Sequence, residues 1–328
     1  IEKVLTQRSN YFPTRLLKGE VAVAERNYTE AISTFDQLIK EEPRSARAHY
    51  FKGVAHLAKQ EGQVAKRALL KAIELNPNFH KARLVLADLH LKARETELAK
   101  KQTEAVLEVA PNNPQALLIA GNVAMAEGMR DLAKERFEAL IAAQPENPAG
   151  YFRLGVLHRL SGEPEPAKEN MEKALQLNPK LMDVFTQLVL TYAGEKAFDD
   201  ALTRCDQQLN TLADSNLHVA IINDLKGGLY LAKKDQAKAE AAYQAAIDAD
   251  PNYMKPYYAL ARIFLSNNEA DKAIDQYNKV LEKQPQQAGG KEKPAGCDGH
   301  GTGIIENVEL AEQVADLVNR IEHKVVVE

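Results

Sequence analysis

"KAIELNPNFHKA" (Lys71–Ala82), "KALQLNPKLMDV" (Lys173–Val184) and "AAIDADPNYMKP" (Ala245–Pro256) are nearly one phrase written three times. Each has Ala in second place, then a short helix-like run, then proline. Pro43, Pro77, Pro111, Pro145 and Pro179 stand 34 residues apart, and so do Pro251 and Pro285. The gap from Pro179 to Pro251 is 72 residues, which is two periods plus four extra residues. A comb this regular is the mark of a repeat architecture.

Other positions keep the beat. Twelve residues before each proline stand Ala31, Ala65, Ala99, Ala133, Ala167, Ala239 and Ala273. Eight before it stand Phe35, Leu69, Thr103, Phe137, Met171, Tyr243 and Tyr277, and twenty-four before it Gly19, Gly53, Ala87, Gly121, Gly155, Gly227 and Ala261. Within each period, "AGYFRLGVLHRL" and "EPAKENMEKALQL" show apolar residues at helical spacing, so the unit is a pair of helices of about four turns each. Small residues let the two helices approach closely, and large ones fill the remaining space. "AEG", "LSGE" and "KKDQ" mark the tight turn inside the pair. Asn-Pro or Asp-Pro ends the second helix, because the residue before proline is pushed out of the α region. One pair cannot bury its own apolar face, so neighbours must stack.

Composition narrows the function classes. The chain has 328 residues, 45% hydrophobic and 27% charged, which fits a soluble protein with a large buried area. Net charge is -4, so no basic excess exists for general nucleic-acid binding. No apolar run is long enough for a transmembrane helix. Cys205 and Cys297 form no disulfide framework and leave the redox compartment open.

The pattern resembles the tetratricopeptide repeat family, W-x2-L-G-x2-Y, then A-x3-F, then P in 34 residues. "YFRLGVLH" (Tyr151–His158) with Ala167, Met171 and Pro179 carries it, and so does "IINDLKGGLY" (Ile221–Tyr230) with Ala239, Tyr243 and Pro251. The resemblance covers residues 12–287 as eight repeats beginning at Phe12, Ala46, His80, Pro114, Pro148, Met182, Ala220 and Met254. It implies an all-α fold, a right-handed α-solenoid superhelix of helical hairpins. The sixth repeat departs most, through Val189, Cys205 and the insertion around Leu209–Asn216, and its second helix is the doubtful element.

Residues 1–11 obey the comb as the second helix of a truncated preceding repeat, with an N-terminal capping helix as the alternative. The chain is therefore expected to be a piece of a longer or processed array. Residues 288–303 read as a Gly-rich linker, and residues 304–328 as an amphipathic C-terminal helix. That helix could cap the eighth repeat, lie in the array's groove, pair with another copy, or be a non-native extension.

No catalytic constellation is expected. "GHGTG" (Gly299–Gly303) lacks the Ser and Asp partners and rigid scaffold that a protease histidine needs. Cys297 and His300 are at most half a zinc site. His56 and His158 occupy the repeat's Tyr-like packing place. No cofactor and no metal are expected.

The family resemblance implies that first helices line a concave groove with their second, fifth, ninth and twelfth residues. The groove residues so placed are Leu16, Tyr50, Leu84, Leu118, Phe152 and Tyr258 (fifth), Asp88, Asn122 and Arg262 (ninth) and Arg159 (twelfth). Two readings of the fifth-place ridge stay open: packing between neighbouring first helices, or a surface for an apolar or amphipathic protein segment. Two known groove chemistries are absent. Leu118 stands where a carboxylate clamp needs Lys, although Asn122 matches, and the sixth places lack an asparagine ladder.

The expected function is a non-enzymatic scaffold for protein–protein interaction. Asn10–Phe35 is similar to bacterial cell-envelope proteins of this family, including those of exopolysaccharide and surface-protein export, which favours a periplasmic or envelope location. The alternatives are the substrate-recognition arm of a larger enzyme, such as a glycosyltransferase, and a self-assembling array.

Overall fold

The computed structural model describes residues 11–283. The expectations for residues 1–10, the Gly-rich linker, the C-terminal helix, Cys297 and His300 lie outside the described residues. Those described form sixteen α-helices and no strand. In chain order they are α1 (Phe12–Ala24), α2 (Tyr28–Glu41), α3 (Ala46–Ala58), α4 (Gly62–Leu75), α5 (His80–Lys92), α6 (Thr96–Leu107), α7 (Pro114–Ala126) and α8 (Arg130–Ala143). There follow α9 (Pro148–Leu160), α10 (Pro164–Leu177), α11 (Met182–Gly194), α12 (Phe198–Thr211), α13 (Asn216–Ala232), α14 (Gln236–Ala249), α15 (Lys255–Ser266) and α16 (Ala270–Lys283). Contacts divide the chain into two compact units, between Leu157 and His158.

In the first unit α1 packs on α2, α3 on α4, α5 on α6 and α7 on α8; in the second, α11 packs on α12, α13 on α14 and α15 on α16. Second helices also pack on the first helix that follows, as α2 does on α3 and α12 on α13. Each hairpin thus buries the face its neighbour leaves bare.

The hairpin turn is one structure used eight times. Its middle residue has positive φ in every case: Arg26, Gln60, Arg94, Gly128, Gly162, Lys196, Lys234 and Asn268. The following N–H reaches back to close the helix end, as in Glu61 N to His56 O at 2.9 Å and Met129 N to Ala124 O at 2.8 Å. This is a Schellman closure, which needs a left-handed residue just past the helix. Only two of the eight are glycine, so six turns carry side-chain strain that glycine would relieve. Between hairpins, Asn76, Asn178 and Asp250 accept a bond from the backbone N–H two residues on, holding the proline turn.

At the helix crossing, glycine meets a large side chain. A Cβ on Gly19 would lie 2.5 Å from the Phe35 ring, and one on Gly227 2.5 Å from that of Tyr243; Gly121 is closed in the same way by Phe137. The sixth hairpin reverses the sizes, with Val189 at the glycine place and Cys205 at the aromatic place, both buried. Its second helix, α12, is as long as its counterparts. The doubt attached to that helix is therefore removed: the volumes were exchanged across the crossing, and the packing remains. The four-residue insertion does not disturb α12 either. It becomes an extra turn at the start of α13, which has 17 residues where the other first helices have 12 or 13.

Candidate binding face of the first helices

In the first unit much of the expected ridge is consumed by packing. Leu16 is 6% exposed and Leu84 2%, each inside a core cluster, so neither offers a surface to a ligand. They correct the groove assignment for an elementary reason: α1 packs against α3, and α5 against α7, and the fifth place lies in that seam. Tyr50 is half-buried. Its ring centroid is 4.9 Å from those of both Phe51 and Phe79, and burial and the neighbouring Glu20 push its hydroxyl pKa up. Glu20 itself is held by Arg47 at 2.7 Å. Leu118 packs on the core around Phe137. Phe152 lies under the Arg153 guanidinium, 5.5 Å from the ring centre. Asp88 pairs with Lys92 at 2.8 Å on its own helix, and Asn122 is half-buried. A cavity of about 30 Å³ between α6, α7 and α8, lined by Thr103, Leu107, Val123 and Leu132, has room for about one water and for no cofactor.

In the second unit the ninth places, half-buried in the first, are exposed. Leu190, at the ninth place of its repeat in α11, is 48% exposed, and Leu231, at the twelfth place of its repeat in α13, is 39% exposed. These two helices pack directly on one another. Gly228, at the ninth place of the repeat in α13, is exposed, and the nearest atom to a Cβ there is the Tyr243 hydroxyl at 3.9 Å. Asp224, at the fifth place of the repeat in α13, accepts a hydrogen bond from the Tyr253 hydroxyl at 2.9 Å. Burial raises its pKa, more than the Tyr253 bond and nearby Lys255 lower it. Of the expected groove residues in this unit, Arg262 is exposed and Arg159 half-buried; Tyr258 packs on the last hairpin's core, 6.1 Å from the Tyr277 ring. Leu190 and Asp224 stand at groove places in the repeat reading yet fell outside the chosen set. Exposed Leu231, at a twelfth place, was also missed. Its signal was the same repeat register, two turns on from Asp224.

The buried histidines have a different task. His56, His90 and His158 sit at the eleventh place of their hairpins, and each Nδ1 faces the glutamate five residues on, Glu61, Glu95 or Glu163. The first two distances are 2.5 Å. These bonds tie the end of a first helix to the start of its second and hold the Glu61 and Glu95 carboxyls below their usual range. Burial pushes the Cys205 thiol up to about 12, which leaves it a packing residue and not a nucleophile. Among the described residues no group of His, Cys, Asp and Glu could hold a metal, and no helix is long and apolar enough to cross a membrane.

Family models described as tetratricopeptide repeat match residues 16–78 and 84–128, 148–181, and 230–290. Solved structures with similar folds include yeast Tom70, at 16% identity and TM-score 0.66, covering 95% of this chain and 65% of that one. A tetratricopeptide repeat protein from Parabacteroides merdae is 14% identical with TM-score 0.57, covering 75% of this chain and 95% of that one. The C-terminal part of a repeat protein from Cytophaga hutchinsonii is 18% identical with TM-score 0.55, covering 74% and 97%. No curated protein matches. The likeness establishes an all-α solenoid fold and does not support the envelope or exopolysaccharide-export subfamily expected from Asn10–Phe35.

Proposed function

Because the chain belongs to the tetratricopeptide repeat family, we propose that it is a non-enzymatic scaffold that holds a protein segment against the open face of its first helices. Repeats of this kind are typically protein–protein interaction modules. The supporting observation is the pair Leu190 and Leu231, exposed on adjacent first helices where the equivalent places of the first unit, such as Val54 and Leu91, are half-buried. Exposed apolar side chains on neighbouring helices offer an area that a partner can cover.

Display of a random peptide library on the immobilised chain tests this reading. Peptides selected on the wild type should lose about tenfold or more in affinity for Leu190→Asp plus Leu231→Asp, a loss of about 1.4 kcal/mol or more. The variant's circular dichroism should stay unchanged, because both side chains already face water. Selected peptides that bind the variant as well as the wild type would place the site elsewhere.

A further inference from the structure

The extra turn of α13 lengthens one stripe of its open face. Leu217, Ile221, Asp224, Gly228 and Leu231 follow one another at steps of four and three residues, so they share one side of the helix. Leu217 and Leu231 are exposed, at 48% and 39%. Ile221 and Asp224 are half-buried, and Gly228, one turn on from Asp224, leaves its place in the stripe unfilled.

Asp224 is the unusual member. It is desolvated, its one hydrogen-bond donor is a neutral phenol, and no ion pair reaches it among the described residues. Among the described residues no cation pairs with it. Lys226 pairs with Asp206 at 2.6 Å. Lys255 favours the charged carboxylate without reaching ion-pairing distance, and exposed Arg262 makes no ion pair with it. A half-buried carboxylate without a counter-ion destabilises the free chain, and a ligand cation lying over Gly228 would supply the missing charge.

Resting on the open-face reading above, we propose that α13 selects a segment in the polyproline II conformation with a central Arg or Lys, apolar residues three positions to either side, and the basic side chain lying over Gly228 against Asp224. The spacing follows from geometry. Asp224 lies seven residues from each terminal leucine, about 10 Å along a helix, and three residues of polyproline II cover about 9 Å and return the side chain to the same face. The charge-assisted bond to the carboxylate gives the selectivity, and Leu217 and Leu231 give the flanking contacts.

The test uses the full chain and the labelled heptapeptide Leu-Ser-Thr-Arg-Thr-Ser-Leu, with analogues carrying norleucine or Glu at the centre. Fluorescence anisotropy should show the Arg peptide binding about tenfold tighter than the norleucine one, with the Glu peptide weakest. Asp224→Asn should abolish the Arg advantage and leave norleucine binding unchanged. Since the substitution removes a desolvated charge, its thermal unfolding temperature should not fall, which separates the effect from misfolding. On the wild type, the Arg advantage should fade on acidification through a range above that of an ordinary aspartate, as the carboxylate is protonated. Equal affinity for Arg and Glu, an Arg advantage that survives Asp224→Asn, or no binding by any of the peptides overturns the proposal. If the norleucine peptide binds and is lost on Leu231→Asp while Arg adds nothing, the open-face reading stands and only the basic-residue preference falls.

Discussion

The fourth and sixth hairpins solve one packing problem with opposite residues. In the fourth, Gly121 on α7 admits the ring of Phe137 from α8. In the sixth, Val189 on α11 fills the crossing and Cys205 on α12 gives way. Both crossings are buried, and both second helices run 14 residues. These two crossings therefore hold a similar summed volume, with the large residue on opposite helices.

The largest effect separates the two crossings by what each large residue carries. Phe137→Ala should cost about 3–5 kcal/mol, because it removes a fully buried ring opposite a glycine that cannot fill the void. Cys205→Ala, which removes one sulfur from a site already filled by Val189, should cost about 1 kcal/mol. Urea midpoints at constant m would read both, and equal losses would break the comparison.

A smaller effect sharpens it. Cys205→Phe should drive a ring into Val189 and lose about 1–3 kcal/mol by overpacking. Val189→Gly alone should also destabilise, through a void and a glycine inside a helix. Together they rebuild the arrangement of the fourth hairpin, so the double variant should be more stable than the sum of the two losses allows. Strict additivity would mean that the two residues do not share the crossing.

The smallest effect concerns the turns. Gly128 and Lys196 occupy the same left-handed place in the two hairpins, with φ of 75° and 60°. Lys196→Gly should gain about 0.5–1 kcal/mol, and Gly128→Ala should lose about as much, by relief or introduction of the left-handed penalty net of glycine's chain entropy. A loss on Lys196→Gly would show that its side chain makes a contact worth more than the strain.

Most of the fold was legible because it rests on a period. Pro77, Ala65 and Leu69 recur in register, and helical spacing follows from them without knowledge of neighbours. Three features were not legible. The four added residues near Leu209–Asn216 have no place in the comb, and only the start of α13 at Asn216 shows that they extend a helix. The binding face was legible by place and not by depth. Leu16 and Leu190 are both leucines on the open side of a first helix, yet one is sealed and the other exposed. Leu16 is at a fifth place, in the seam between first helices, and Leu190 at a ninth; the register separates the two places, and only the packing of the neighbouring helix shows which of them is covered. Buried His90 and its glutamate partner Glu95 also escaped notice, since an eleventh-place histidine gains its meaning from a residue five positions on.

Backbone amide chemical shifts of the labelled chain, titrated with a peptide selected from the display library, test the central claim most directly. The account predicts that the largest changes cluster on α11 and α13, around Leu190, Asp224, Gly228 and Leu231. Changes concentrated on the second helices α12 and α14, with those residues silent, would contradict it.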